Sequence, residues 1–167
     1  SYLFAVRSEY SGVTLVTPTN SLAQEICYRS LKFYVGVTRD KPHIIVKSDA
    51  ALAITNAVSE LGFLPEPAIA NTWPHNALLE RWIQTFKSVC RAMTHQSGMP
   101  YQARHLLAPY CSMCLNVTLP APILPHERDA NGVPLRECLK LEQTCWRAHT
   151  GEDFAGLMQS FGRLCYY

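Results

Sequence analysis

The alternation of strand-like and helix-like segments constrains the fold of this chain more than any other feature of its sequence. Residues 2–7 and 13–17 are short apolar runs on either side of the polar turn 9–12, and this pattern is typical of a β-hairpin. A capping-box spacing begins at Ser21, apolar residues then recur at helical intervals, and Gly36 follows them. A helix is therefore predicted between Ser21 and Gly36.

The next segments place an acidic residue at the end of a strand. The apolar run 43–48 predicts a buried strand that stops at Asp49, and a rough helical pattern then extends to Gly62. Two prolines prevent this helix from resuming, and a short strand is predicted at 68–71. Because binding sites in α/β proteins lie at the carboxyl ends of strands, Asp49 is a candidate site residue.

The strongest helical pattern covers residues 77–96. Its apolar side chains recur at steps of three and four residues, namely at Leu79, Ile83, Phe86, Cys90 and Met93. A second helix is predicted at 101–117, followed by a proline-rich exit. Further on, the pattern weakens to a turn at 129–132 and a short helical segment at 135–141.

This succession indicates an α/β fold with a mixed central β-sheet flanked by α-helices. We predict two parts, a core at 1–120 and an irregular, loop-rich C-terminal extension with a short terminal strand at 121–167. A chain of 167 residues with 48% apolar side chains is large enough to bury a real core as one domain.

Composition excludes several classes of protein. The balance of 15 basic and 13 acidic residues leaves a net charge of only +2, so any surface for nucleic acid is local. Seven cysteines at irregular spacings favour reduced thiols in an intracellular protein over a disulfide framework. The uncharged stretch 106–125 contains four prolines, which argues against a membrane span. No targeting signal precedes the first strand, and we expect the chain to be a fragment of a longer one.

The long predicted helix has an acidic residue at the head of a polar ridge. Glu80, Gln84, Lys87 and Arg91 are spaced by four, three and four residues, so they share one helix face. If Glu80 binds a metal ion at a scissile phosphate, Lys87 and Arg91 lie about 10 to 17 Å further along the helix, within reach of flanking DNA phosphates. The alternative is an ordinary solvated face, and Asp49 can equally be a helix cap.

The order of several motifs resembles the catalytic core of a retroelement integrase, most closely the copia type, from the first residue to the last. The run 46–49 (Val-Lys-Ser-Asp) resembles the strand that bears the family's second aspartate. The run 74–81 (Pro-His-Asn-Ala-Leu-Leu-Glu-Arg) resembles its Pro-Gln-Gln-Asn-Gly-x-x-Glu-Arg signature. Further similarities lie at 91–93 with 97–100, at Asn116 and at the ending 161–167. The resemblance implies a ribonuclease H-like fold.

The resemblance also implies a site and a function. The family holds two Mg²⁺ or Mn²⁺ ions with an Asp, Asp, Glu triad, and Asp49 and Glu80 match its second and third positions as catalytic residues and metal ligands. Two such ions activate a hydroxyl and stabilise the leaving oxygen. By the same resemblance the protein acts in DNA integration, binds DNA, forms homo-oligomers and works in the nucleus. The expected DNA contacts are Lys47, His75, Asn76, Gln84, Lys87 and Arg91.

The first triad position departs from the family. Ser8 stands where the family has aspartate, and a hydroxyl is a neutral, weak Mg²⁺ ligand. Glu9 is a possible substitute, although neighbours in a regular strand point to opposite faces, so a bulge would be needed. Two hypotheses therefore stand, an active integrase core and a degenerate remnant that only binds nucleic acid or multimerises. A weaker third is a zinc module built on Cys138, Cys145 and His149.

Overall fold

A computed structural model describes residues 2–36, 44–68, 76–135, 142–159 and 161 of the chain. In this part of the chain, four short strands alternate with five α-helices, which confirms the predicted α/β class. The elements are β1 (Tyr2–Arg7), β2 (Thr14–Thr19), α1 (Gln24–Val35), β3 (Ile45–Ser48), α2 (Leu52–Glu60), β4 (Leu64–Pro67), α3 (Ala77–Ser97), α4 (Arg104–Thr118) and α5 (Cys145–Thr150). Two 3₁₀ turns, Tyr101–Ala103 and Pro125–Glu127, precede and follow α4.

The four strands form two separate pairs. The predicted hairpin is confirmed, because β1 and β2 are antiparallel along their whole length, with Arg7 opposite Thr14. β3 and β4 are parallel, with Ile45 opposite Leu64. In the described residues, the predicted mixed central sheet is therefore replaced by one antiparallel pair and one parallel pair.

Two predictions about the parallel pair need correction. The strand predicted at 68–71 begins earlier: β4 is Leu64–Pro67, Ala68 follows it, and 69–71 lie outside the described residues. The strand before Asp49 is not buried, since Ile45 is 57% exposed. Alternate residues of a strand point to opposite faces, and here Ile44 and Val46 pack against the first core while Ile45 faces solvent.

The direction of its backbone donors explains why β4 accommodates two prolines. The N–H groups of Leu64 and Ala68 donate to the carbonyls of Ile44 and Ser48, at 2.9 and 2.8 Å. Alternate residues of a strand direct their N–H groups to the same edge, so the two prolines, which alternate with these donors, face away from β3. Proline has no N–H group, but an N–H at either of these two positions would point away from β3. The prolines therefore cost no hydrogen bond between the two strands.

Two hydrophobic cores lie on opposite faces of the β1–β2 hairpin. The first packs α1 and α2 against β1, with buried Phe4, Cys27, Leu31, Ala57, Val58, Leu61 and Phe63. The second packs α3 and α4 against β2, with buried Val16, Trp82, Phe86, Ala108, Cys111 and Leu115. Neighbouring strand residues point to opposite faces, and Phe4 accordingly belongs to the first core while Ala5 packs on the second. The hairpin is thus shared by both pairs of helices.

The end of α1 follows the sequence prediction, but its start does not. Gly36 ends the helix, and its N–H donates to the Lys32 carbonyl at 2.9 Å. The capping box predicted at Ser21 does not form, because α1 begins at Gln24 without a side-chain cap. The Ser21 hydroxyl instead accepts a hydrogen bond from the Ala23 N–H at 3.1 Å, in the turn before the helix.

The C-terminal extension packs on the end of α4. The Cys145 N–H donates to the Leu119 carbonyl at 2.9 Å. This contact leads into α5, a short helix that the sequence pattern does not predict, although the Thr144 hydroxyl caps it by accepting from the Arg147 N–H. A cap without a long apolar pattern behind it is too weak a signal to predict a helix of six residues.

Some predicted elements of the extension fall outside the described residues. The helix predicted at 135–141 is absent at Leu135, and 136–141 are not described. The predicted terminal strand falls mainly in 162–167, which are not described either. Among the helices of the described ranges, none combines the length and the hydrophobicity that crossing a bilayer requires.

Candidate active site and nucleic-acid surface

Asp49 lies at the carboxyl end of β3, as predicted. It directly follows the last strand residue, and it is exposed. Ala51 is the N-cap of α2, so Asp49, two residues before it, is not the N-cap residue of that helix, and the alternative in which it is the cap is wrong. The backbone carbonyl of Asp49 accepts the Ala51 N–H at 2.7 Å, which turns the chain from β3 towards α2. The Asp49 carboxylate is therefore accessible to a ligand at the strand end.

Glu9 lies beside the same strand end. Its Oε1 is 3.4 Å from Nζ of Lys47, two residues before Asp49. The predicted obstacle, that strand alternation aims Glu9 away, does not apply, because β1 ends at Arg7 and Glu9 is already in the turn. Both side chains of the ion pair are about half exposed, so the pair itself adds little stability. Its importance is positional, because it joins the exit of β1 to the end of β3.

The Ser8 hydroxyl is engaged within the turn that follows β1. Its Oγ accepts a hydrogen bond from the Ser11 N–H at 3.1 Å. The Ser8 backbone also holds the turn, since its N–H donates to the Val13 carbonyl and its carbonyl accepts the Gly12 N–H. Ser8 thus stabilises the turn as serine typically does, with a neutral oxygen where the resemblance expects a carboxylate.

Side chains from α1 and α5 hold the same turn from outside. The Ser11 hydroxyl is 3.3 Å from Nδ1 of His149, on α5. The Tyr34 hydroxyl, on α1, donates to the Val13 carbonyl at 2.8 Å. The rings of Tyr34 and His149 stack at a centroid distance of 6.5 Å. Sequence patterns carry no signal for these contacts, because they join residues far apart in the chain.

A partly buried cation lies beneath this turn. Arg7 ends β1, and its guanidinium is 3.4 Å from the Thr14 hydroxyl. Burial lowers the pKa of Arg7, while the nearby Cys145 and Tyr34 act in the opposite direction. Burial also raises the pKa of the Cys145 thiol and raises the pKa of Tyr34 to about 12. At neutral pH, Arg7 is therefore a cation among neutral neighbours, which favours an anion near the turn.

Glu80 lies in the first turn of α3 and helps to cap that helix. The side-chain oxygen of Asn76 accepts the Leu79 N–H at 3.2 Å, as an N-cap does. Oε1 of Glu80 accepts the Asn76 N–H at 3.4 Å, a long hydrogen bond in the reciprocal direction. The two candidate residues, Asn76 and Glu80, therefore have a structural role in addition to any role towards DNA or metal.

The predicted polar ridge of α3 lies on the surface. Gln84, Lys87 and Arg91 are all exposed, and Glu80 at the head of the ridge is half-buried. The opposite side of α3 is buried in the second core, where the rings of Trp82 and Phe86 stack at 5.0 Å. The three exposed side chains are free of the packing that orients α3 and can therefore meet a ligand from solvent. His75 lies outside the described residues.

The metal-binding predictions remain predictions. Within the described residues, no group of three or more His, Cys, Asp or Glu side chains is gathered to hold a metal ion. Serine at the first triad position leaves Asp49 and Glu80 as the predicted ligands, with Glu9 as the predicted substitute for the missing aspartate. For the zinc alternative, Cys145 is buried with its Sγ 3.3 Å from the Pro120 carbonyl oxygen, whereas Cys138 lies outside the described residues.

Comparisons with known proteins support the fold. No known protein family matches the chain, and no curated protein does either. Eleven chains of solved structures match. One belongs to the simian T-cell lymphotropic virus intasome, solved by cryo-electron microscopy in complex with the PP2A regulatory subunit B56 gamma, with a TM-score of 0.55 and 13% identity. The match covers 99% of this chain and 59% of the intasome chain. This chain therefore has a fold similar to that of a chain in a retroviral integration complex.

Proposed function

We propose that this chain is the catalytic core of an integrase with a ribonuclease H-like fold, related to the copia-type Pol polyprotein. In this proposal it binds DNA and joins a 3′-hydroxyl to a target phosphodiester in DNA integration. The order of the sequence motifs supports the proposal, and so does the structural likeness to an intasome chain. The exposed position of Asp49 directly after β3 is the position that such a site requires.

The contact between Glu9 and Lys47 is the observation that carries the proposal. It places Glu9 beside β3, two residues before Asp49, so that two carboxylates lie near one strand end. The third carboxylate of the proposed set is that of Glu80, in the first turn of α3. The Lys87 and Arg91 side chains of the same helix are exposed. In this proposal, Asp49, Glu80 and Glu9 form the catalytic set, with Glu9 in the place of the missing aspartate.

Divalent Mg²⁺ or Mn²⁺ fits the chemistry of these donors. Carboxylate oxygens are the ligands that both ions prefer in proteins, and a serine hydroxyl is a poor replacement. When bound, such ions activate the attacking hydroxyl and stabilise the leaving oxygen. Glu9 must release Lys47 to act as a ligand, and for a half-exposed pair this release costs only about 0–1 kcal/mol. Lys47 is then free to contact a DNA phosphate.

The polar ridge of α3 is the proposed DNA surface. Gln84, Lys87 and Arg91 would contact phosphates along one side of a duplex, and Asn76 would do so at the start of the helix. Homo-oligomerisation and a nuclear location follow from the same proposal, since strand transfer joins two DNA segments in the compartment that holds chromosomal DNA.

One observation favours a second candidate, a degenerate core that binds DNA without joining it. The Ser8 hydroxyl is engaged by the Ser11 N–H, and Glu9 is paired with Lys47. Both side chains at the first triad position are therefore engaged by protein groups.

Mg²⁺-dependent strand transfer tests both candidates. The wild type, Ser8→Asp and Glu9→Gln are compared, with Glu152→Gln as a control for the loss of an exposed acid elsewhere. Activity in the wild type that Glu9→Gln abolishes supports the active core with Glu9 as the third carboxylate. Activity only in Ser8→Asp identifies a degenerate remnant. If neither the wild type nor Ser8→Asp is active while both bind metal, the assignment of the first triad position is wrong.

A further inference from the structure

Two cysteine side chains meet where α3 packs against α4. Cys111 on α4 is fully buried in the second core, and Cys90 on α3 is half-buried against the same core. Sγ of Cys111 lies 4.0 Å from the backbone oxygen of Phe86. In an α-helix that oxygen accepts the N–H four residues later, which is the N–H of Cys90. The Cys111 sulfur is therefore at the helical turn that Cys90 occupies.

The two thiols differ in reactivity. A hydrogen bond from the Cys111 thiol lowers the pKa of Cys90, and the same interaction, together with burial, raises the pKa of Cys111. The thiolate is the reactive form of cysteine, so Cys90 is the member of the pair that reacts first with an oxidant. Its partial exposure gives a small oxidant access from the surface of α3. Cys111, shielded from solvent, is placed to attack Cys90 in turn.

We infer that Cys90 and Cys111 are a site of reversible oxidation, at which a peroxide generates a disulfide bond between α3 and α4. The Cys90 thiolate attacks one oxygen of hydrogen peroxide, an S–O bond forms, the O–O bond breaks, and the departing hydroxide becomes water. The Cys111 sulfur then loses its proton and attacks the Cys90 sulfur. An S–S bond forms, the S–O bond breaks, and the second hydroxide leaves with that proton as water. Two thiols are oxidised and one peroxide is reduced to two waters.

Peptide mapping of the full chain tests this site. The reduced protein is treated with limiting hydrogen peroxide, its remaining thiols are alkylated, and it is digested with trypsin without reductant. Cleavage after lysine and arginine isolates Cys90 in peptide 88–91 and places Cys111 and Cys114 in peptide 105–128. We expect these two peptides to be linked, with the loss of two hydrogen atoms, and dithiothreitol to separate them.

Variants identify the partner of Cys90. In Cys114→Ser, Cys111 is the one cysteine left in peptide 105–128, and we expect the link to persist. Cys27→Ser, a buried cysteine of the other core, is the matched control and also keeps the link. Loss of the link in Cys114→Ser overturns the inference, as does a link from peptide 88–91 to Cys138 or Cys165. Oxidation of Cys90 to sulfinic acid without any link overturns it too.

A second measurement does not depend on peptide recovery. A bond across α3 and α4 restricts the unfolded chain, so oxidation is expected to raise Tm by roughly 5 °C, and dithiothreitol to reverse the change. An unchanged or lower Tm in protein shown to be linked would mean that the folded helices do not accommodate the bond, which would overturn the inference. Because neither readout uses DNA or divalent metal, failure here leaves the proposed integrase function untouched.

Discussion

A single buried amide, that of Asn116, ties α4 to β2. Its Oδ1 accepts the Thr14 N–H at 2.9 Å, and its Nδ2 donates to the Thr14 carbonyl at 2.8 Å. Asn116→Ala removes both bonds and leaves the buried Thr14 N–H without its acceptor. We expect the free energy of unfolding to fall by about 2–4 kcal/mol, measured by urea denaturation.

A second variant on the same helix serves as the control for this prediction. Thr118→Ala changes an exposed residue of the same helix, and its effect should stay within about 0.5 kcal/mol. The Ser112 hydroxyl also donates to the Thr14 carbonyl, so that oxygen keeps a partner in Asn116→Ala. A loss no larger than that of Thr118→Ala would show that Asn116 does not join the two elements.

Gly12 is required for two separable reasons. Its φ is +78°, and a Cβ at this position would lie 2.7 Å from Cδ of Pro122 and 2.8 Å from Sγ of Cys145. Gly132 has nearly the same φ, +79°, with nothing within 4 Å of its position. We expect Gly132→Ala to lower stability by about 1 kcal/mol through its backbone alone, and Gly12→Ala by at least about 2 kcal/mol more. Equal losses in thermal unfolding would mean that the C-terminal extension does not press on the turn.

At the scale of elements, variants at the start of α3 distinguish a helix-capping role from a catalytic one. Asn76→Ala removes the acceptor of the Leu79 N–H and should destabilise the protein by about 1 kcal/mol, whereas Asn76→Ser keeps most of the stability. Glu80→Gln retains an oxygen that can accept the Asn76 N–H, so its stability should change by less than about 0.5 kcal/mol. The measurement is chemical denaturation of the three variants. A larger loss in Glu80→Gln would assign the carboxylate chiefly to the helix.

The long helix α3 could be predicted from the sequence much better than the strand β4. The apolar spacing of 77–96 and the glycine after it locate α3 to within a residue, because helix hydrogen bonds are local. The sequence predicts no strand at Leu64–Pro67, because two prolines argue against a strand unless the direction of its backbone donors is known. That direction depends on the pairing with β3, which is a long-range property.

The candidate site was predictable in part. The position of Asp49 after a strand and the exposed ridge of α3 both follow from local patterns, and the structure has them as expected. The contact of Glu9 with Lys47 and the hydrogen bond of Ser11 with His149 join distant parts of the chain. No spacing rule predicts such contacts, and they decide how the turn after β1 is held.

For the whole molecule, charge determines how DNA can be bound. A net charge of +2 creates no broad attractive field, so affinity must come from the local ridge on α3. Each phosphate contact with duplex DNA contributes about 0.9 to the slope of log affinity against log salt concentration. Replacing both Lys87 and Arg91 by alanine should therefore reduce the slope by about 2, as measured by fluorescence anisotropy with a labelled duplex.

Lys32 provides the matched control for that titration. It is an exposed cation on α1, with its Nζ 5.6 Å from the ring of Tyr28, and it lies on a helix that contributes to the other core. Removing it changes the net charge by the same amount as removing one ridge cation. If the DNA contacts are local to the ridge, Lys32→Ala should leave the salt-dependence slope unchanged. If Lys32→Ala reduces the slope as much as Lys87→Ala or Arg91→Ala does alone, DNA affinity depends on the total charge and not on local contacts. The ridge would then be an ordinary solvated helix face, and the DNA-binding part of the proposal would fail.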